Sequence, residues 1–257
     1  MIKMEKSILK QNKMLITVIV TLLSFSLSQA QSETVEVSGF SEVTISPYIK
    51  VDFRQAESES VIIQNTRVDR EKINIEIDGK ELRIFLEDAK IVSKEEEIKV
   101  NGREIDRSIY NGTEVSIIVN YITLEEVEIR SEERITFQDA INNEDFELDL
   151  YGSPKVYFES ITAEDFKVAM YGESYLEVKG GDVEFQRYRC YGKSQVHAID
   201  LLSKETKIAA YGNNHLIVNV SEKLKVSAFG EATIQYKGNA VVKSGLKIGE
   251  TVIRKID

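Results

Sequence analysis

The chain has 257 residues, 42% of them hydrophobic, with one cysteine, two prolines and no tryptophan. Its 33 basic and 43 acidic side chains give a formal net charge of −10, which argues against nucleic acid or an anionic lipid surface as the partner. A single thiol excludes an intramolecular disulfide, and no stretch has the composition of a flexible linker.

The first thirty residues read as a targeting segment. Lys3, Lys6, Lys10 and Lys13 precede an apolar run from Met14 to Leu27, which ends in Ser28-Gln29-Ala30. A basic head, a short apolar core and a small-x-small ending predict a secretory signal peptide cleaved after Ala30. The uninterrupted apolar run is about 14 residues, short of the roughly 20 needed to span a bilayer. Removing residues 1–30 takes away four lysines and one glutamate, leaving 29 basic and 42 acidic groups on residues 31–257. No later hydrophobic run is long enough to span a membrane. The protein is expected to be exported, and to be periplasmic, outer-membrane associated or secreted.

Residues 34–87 alternate apolar and polar with period two, the signature of strands. Val35, Val37, Val43, Ile45, Ile49, Val51 and Phe53 recur at alternate positions. Ile73, Ile75 and Ile77 then face one way, and Asp78-Gly79, a hairpin or tight-turn signal, leads into Leu82, Ile84 and Leu86, again two apart. Residues 88–114 break the pattern with Glu95-Glu96-Glu97, Asn101-Gly102 and Asn111-Gly112. They are expected to form a hairpin projecting from the main body.

From about residue 124 to 257 the chain is periodic. Tyr151-Gly152, Tyr171-Gly172, Tyr191-Gly192 and Tyr211-Gly212 recur every 20 residues, and Phe229-Gly230 follows after 18. Four positions after each glycine stand Val156, Leu176, Val196, Leu216 and Ile234. Two before stand Leu150, Met170, Cys190, Ala210 and Ala228, and four before stand Leu148, Val168, Tyr188, Ile208 and Val226. Ser131 takes the glycine position one period earlier, and Gly249 opens a degenerate last turn. One such unit cannot bury its apolar face alone, but stacked copies make a continuous core. The period is too short for a pair of helices, and the segments are rich in Val, Ile, Tyr and Phe. The expected fold is all-β, a right-handed parallel β-helix of six or seven rungs. Cys190 falls in an inward column, as an inert buried thiol.

Phe40-Ser41-Glu42-Val43-Thr44-Ile45, Asp78-Gly79-Lys80-Glu81-Leu82-Arg83-Ile84 and Tyr121-Ile122-Thr123-Leu124-Glu125-Glu126-Val127-Glu128-Ile129 resemble the autotransporter adhesin head GIN domains (DUF2807). The likeness covers roughly residues 35–256. It implies a β-helix in exported proteins of Bacteroidetes-like bacteria, with an adhesin's role and no transferable catalytic site. The family's repeats carry serine at the corner and alanine after the glycine. Here Tyr or Phe replaces the serine, and Glu173, Lys193, Asn213 and Glu231 replace the alanine.

Two outward features are candidates for recognition. The corner aromatics Tyr151, Tyr171, Tyr191, Tyr211 and Phe229 are placed outside by alternation, where stacking ties rung to rung; a sharp corner would instead turn them toward the core. Such a ladder could also hold a glycan ring or a partner protein. Three and five residues past the glycines, Tyr157, Tyr175, His197, His215 and Ile217 make a diagonal surface patch suited to carbohydrate or protein. Among outward bases, Arg187, Arg189 and Lys193 read as scattered, short of what a lyase needs. No metal or cofactor is expected: the two histidines lack a ligand motif, and no calcium loop, nucleophile elbow or phosphate loop is present. The function read from the sequence is a non-catalytic binding, adhesion-type or structural module at the cell envelope, with a glycan or envelope protein as partner. The alternatives are a polysaccharide lyase or hydrolase on the same fold, and a scaffold that self-assembles through open strand edges.

Overall fold

Alternating strands with turns at a fixed period can satisfy both core and backbone by stacking on themselves, and the chain does so. The structure is a computed structural model that describes residues 32–91, 95–100 and 103–257; for 96–100 and 103–106 only the backbone is described. Residues 1–30, expected from the sequence to be a signal peptide, and Asn101-Gly102, expected to turn, lie outside the described residues.

The chain runs through β1 (Glu33–Glu36), β2 (Glu42–Ile45), β3 (Ile49–Gln55), β4 (Ser60–Thr66), β5 (Ile73–Asp78), β6 (Glu81–Leu86), β7 (Glu95–Val100), β8 (Arg103–Ser108) and β9 (Val115–Tyr121). The repeats begin with β10 (Glu126–Ser131), β11 (Arg134–Phe137), β12 (Ile141–Asn142), β13 (Asp145–Gly152), β14 (Lys155–Phe158), β15 (Ile161–Gly172) and β16 (Tyr175–Val178). They continue as β17 (Gly181–Gly192), β18 (Gln195–Ala198), β19 (Leu202–Asn219), β20 (Lys223–Lys237), β21 (Val241–Ile248) and β22 (Thr251–Lys255). A 3₁₀ turn at Arg70–Lys72 is the only helical element among the described residues.

Parallel pairing builds one face from β6, β2, β10, β13, β15, β17, β19, β20 and β21 in that spatial order. A second face stacks β9, β3, β11, β14, β16, β18, then the later halves of β19 and β20, then β22. A shorter third stack joins β12 to the starts of β15, β17 and β19. The result is a parallel β-solenoid of about 6 turns.

The three apolar columns read from the repeats all point inward, and every member is buried, Cys190 and Tyr188 included. Phenylalanine fills the N-terminal part of the core: Phe137 lies 4.5 Å from Phe53 and 3.9 Å from Phe158, near-parallel to both. Each such pair contributes roughly 0.5–1.5 kcal/mol beyond its area burial. In the register of Phe158 the following rungs carry Val178, Ala198 and Val218, so the filling passes from rings to small aliphatics.

Stacking also reaches further toward the N-terminus than the 20-residue period indicates. Val43 pairs with Val127 and Phe53 with Phe137, so β2 and β3 form the rung before β10 and β11. Leu82 then pairs with Val43, which places β6 outside β2 although it comes later in the chain. The alternation in residues 42–55 is that of the repeats, but an insertion of β4 to β9 hides the period. Antiparallel strands close this end: β5 on β6 through the Asp78-Gly79 turn, and β4 on β9. Covering parallel edges in this way removes sites for edge-to-edge aggregation. The 88–114 excursion contains the antiparallel pair β7–β8, a two-stranded sheet apart from the solenoid's. It enters where the rung turns from β6 to β9.

The corner explains the glycine. Gly172 has φ +128°, and a Cβ built there would meet the carbonyl oxygen of Gly152, one rung away, at 2.1 Å. That carbonyl accepts the N–H of Glu173 at 2.9 Å. The turn thus needs a left-handed backbone and a bare Cα at the same position.

Candidate functional site

The corner aromatics lie outside the core, Tyr151, Tyr171 and Tyr191 being 37–39% exposed. They form one continuous ladder with centroid separations of 4.8, 5.0, 4.7 and 5.0 Å from Tyr151 to Phe229, all within 8° of parallel. These separations match the strand spacing of about 4.8 Å, so backbone pairing sets the stack. The faces of the inner rings are occupied by their neighbours. What the ladder presents outward is ring edges and, on its first four rungs, hydroxyls.

At the head of the ladder the corner opens into a groove of about 850 Å³. Its walls come from the turn between β2 and β3, the base of the β7–β8 hairpin, and the β10–β11 and β13–β14 corners. Tyr48 and Tyr110 meet at 5.6 Å with planes tilted by 51°. Their hydroxyls are engaged by Ser108 Oγ at 2.9 Å and by the Glu87 carbonyl, to which Tyr110 donates at 2.9 Å. Both rings are thereby fixed, with Tyr48 held at φ 70°. Ile91, 63% exposed, and Tyr151 stand on the rim.

Arg130, Glu132 and Glu133 are the ionisable side chains of the groove wall, and Glu133 is the buried one. The residue is 8% exposed, and one carboxylate oxygen accepts the Glu132 N–H at 3.1 Å. Burial pushes this carboxyl above the usual range, while backbone N–H groups of Glu132, Tyr48 and Glu133 oppose the shift by favouring the charged form. An acid held so beside aromatic walls can accept hydrogen bonds from a polyhydroxylated ring and remain fixed in place. The sequence offered little sign of this site. Tyr48 follows a proline and Tyr110 precedes Asn-Gly, as residues of many ordinary turns do.

The strand-face patch lies around the corner from the groove. Tyr157 and Tyr175 meet at 5.7 Å, and the Arg134 guanidinium lies 4.1 Å over the Tyr157 ring. Tyr175 donates to Glu177 at 2.7 Å, which joins burial in pushing its own ionisation up to about 12. His197 and His215 are exposed, and Ile217 is half-buried. In register, Glu177 separates Tyr157 from His197, and Gln195 separates Tyr175 from His215. The tyrosines therefore touch, while the imidazoles stand apart from them. His215 Nε2 reaches Gln235 Oε1 at 3.3 Å. Among the described residues no group of three or more His, Cys, Asp or Glu is arranged to hold a metal ion. Burial pushes the Cys190 thiol up to about 12, which leaves it protonated.

Fold and site together define a parallel β-solenoid whose chemically distinctive groups lie on its outer surface. The profile of the family described as putative auto-transporter adhesin, head GIN domain (DUF2807), matches residues 39–240, and the chain belongs to that family. No curated protein matches the sequence. Among solved structures, the chain is similar to a putative adhesin from Bacteroides fragilis NCTC 9343, with a TM-score of 0.75 at 16% identity over 88% of this chain and 96% of that one. It is also similar to a putative adhesin from Parabacteroides merdae ATCC 43184 (TM-score 0.64, 14% identity, 90% and 98% coverage). A putative lipid binding protein from Parabacteroides distasonis ATCC 8503 shares the fold as well (TM-score 0.56, 16% identity, 90% and 98% coverage). At these identities the likeness is one of fold.

Proposed function

We propose that this protein is an exported, non-catalytic adhesion-type module of the bacterial envelope, and that it holds its ligand in the groove at the head of the tyrosine ladder. The groove itself carries the reading: fixed aromatic walls, an exposed Ile91 and a buried carboxylate converge on about 850 Å³, the size and composition of a small-ligand or glycan-end site. The Arg134–Tyr157–Tyr175 strip extends the same surface around the corner. Membership of an adhesin-named family and the predicted signal peptide support an envelope location. No helix of the described residues is long and apolar enough to cross a membrane.

The test is an array of neutral oligosaccharides and purified envelope proteins probed with the wild-type protein and with Glu133→Gln combined with Ile91→Asp. The wild type should retain at least one probe class, and the variant should lose it with its circular dichroism unchanged. Retention by the variant would move recognition elsewhere. Release of reducing or unsaturated ends from any polysaccharide would replace the binding reading with a catalytic one. Edman sequencing of protein from the exported fraction should begin at Gln31.

A further inference from the structure

The face that ends at the tyrosine ladder has a second outward column, and its charges are sorted. Following the pairing register from the N-terminal end, Glu81, Glu42, Glu126 and Glu147 stand on successive rungs. The column then changes sign without interruption: Lys167, Arg187, Lys207, Lys225 and Lys243 follow on the next five rungs. Like charges directly opposite one another across a strand pair destabilise the sheet. Five consecutive cations therefore work against the fold, on a chain whose net charge is −10. Lys167 and Arg187 are paired in part with Asp145 and Asp165, at 3.7 and 2.9 Å. Lys207, Lys225 and Lys243 have no ion pair among the described residues and are exposed.

Between this basic column and the ladder runs a floor column of Ala169, Arg189, Ala209 and Ser227. Its mostly small side chains leave a trough of about 560 Å³ between two ridges. One ridge presents the ammonium and guanidinium groups of Lys167, Arg187, Lys207 and Lys225; the other is the ladder, of which Tyr211 and Phe229 line the trough, with the exposed Leu246 beside them. Both repeat at the rung spacing of about 4.8 Å, close to the length of one sugar ring along an extended chain.

We propose that this trough binds a linear acidic polysaccharide, a chain of sugar rings bearing carboxylates, laid along the solenoid with its carboxylates on the Lys167–Lys225 side and its ring edges against Tyr211 and Phe229. A second copy of the protein is the rival occupant, because antiparallel apposition would match the acidic half of the column to the basic half. Shape favours the polymer: two copies would meet ridge on ridge and leave both troughs empty. The site is separate from the groove at the ladder's head and goes beyond the function proposed above.

Isothermal titration calorimetry with an oligogalacturonate long enough to cross five rungs tests the assignment. The comparison ligand is the same oligomer with its carboxyls reduced to hydroxymethyl groups. Binding should weaken as salt rises, fall by about tenfold or more with the reduced oligomer, and fall similarly in Lys207→Glu/Lys225→Glu, because two lost charge contacts are worth at least one decade. Lys207→Gln/Lys225→Gln serves as the second variant if the reversal perturbs folding. Glu133→Gln should leave this binding intact, so that failure at one site is distinguishable from failure at the other. The proposal is overturned by absence of binding, by equal affinity for the reduced oligomer, or by insensitivity to both lysine variants. It is also overturned by tighter binding of single-stranded DNA or phosphatidylglycerol vesicles. Sedimentation showing a dimer that the charge reversal dissolves would assign the surface to a second copy instead.

Discussion

Gly172 carries two demands at one atom: φ +128° and a carbonyl 2.1 Å from where a Cβ would sit. Gly172→Ala must therefore open the contact between two rungs as well as strain its own backbone, and is expected to cost about 3 kcal/mol or more. A urea titration read by circular dichroism checks this. Asp149 makes a different prediction. Burial, then Glu147 and Glu128, push its carboxyl from 3.8 up to about 6, with Arg189 opposing. The folded state thus holds this proton more tightly than the unfolded state does. The stabilisation is fully present below pH 3.8 and is lost as pH rises through about 6. Asp149→Asn should flatten that segment of the stability–pH curve and raise stability at pH 7 by roughly 1 kcal/mol after allowance for screening. That corresponds to about 2–4 °C in Tm for a chain of this size.

The ladder is the element where sequence and structure agree most closely. The 20-residue period sets what lies beside the tyrosines, which is visible in the letters alone. Alternation from the Leu150–Met170–Cys190 column points the rings outward but leaves open a sharp corner turning them toward the core; the structure places them outside. Tyr191 has stacking partners at 5.0 and 4.7 Å. Tyr191→Ala should cost about 1–2 kcal/mol, and Tyr191→Phe should cost little, since the ring and not the hydroxyl makes the stack. Differential scanning calorimetry of both variants separates the two. The basic column is equally periodic, five residues before each glycine from Lys167 to Lys225, but Arg189 and Lys193 lie outside it, so that Arg187, Arg189 and Lys193 taken together read as scattered. The groove was illegible for another reason. Tyr48, Tyr110 and Glu133 come from three corners separated by 62 and 23 residues in the chain, and no period links them.

At the scale of the whole molecule, the N-terminal rungs are interlaced. β2 lies between β6, which follows it in the chain, and β10, whose contacts to it span 84 residues, as in Ser41 with Glu125. Beyond β13 each rung adds to the one before it, in sequence order. The net charge likewise describes no part of the surface: acids gather at the interlaced end of one column and bases on its regular part.

The two halves differ in whether their length can change. From β13 onward successive units are interchangeable, since Gly152, Gly172, Gly192 and Gly212 occupy equivalent places at an identical interval. Excising residues 173–192 would join Gly172 to Lys193 and let every inward column close over the gap. The shortened chain is expected to fold cooperatively, with stability reduced by about one repeat's share. A comparable excision between β2 and β10 would remove a neighbour that no other segment can replace. Copy number in this protein is thus free to drift only on one side of Asp145, and with it the length of both the tyrosine ridge and the cationic ridge, while the grooved end is inherited whole.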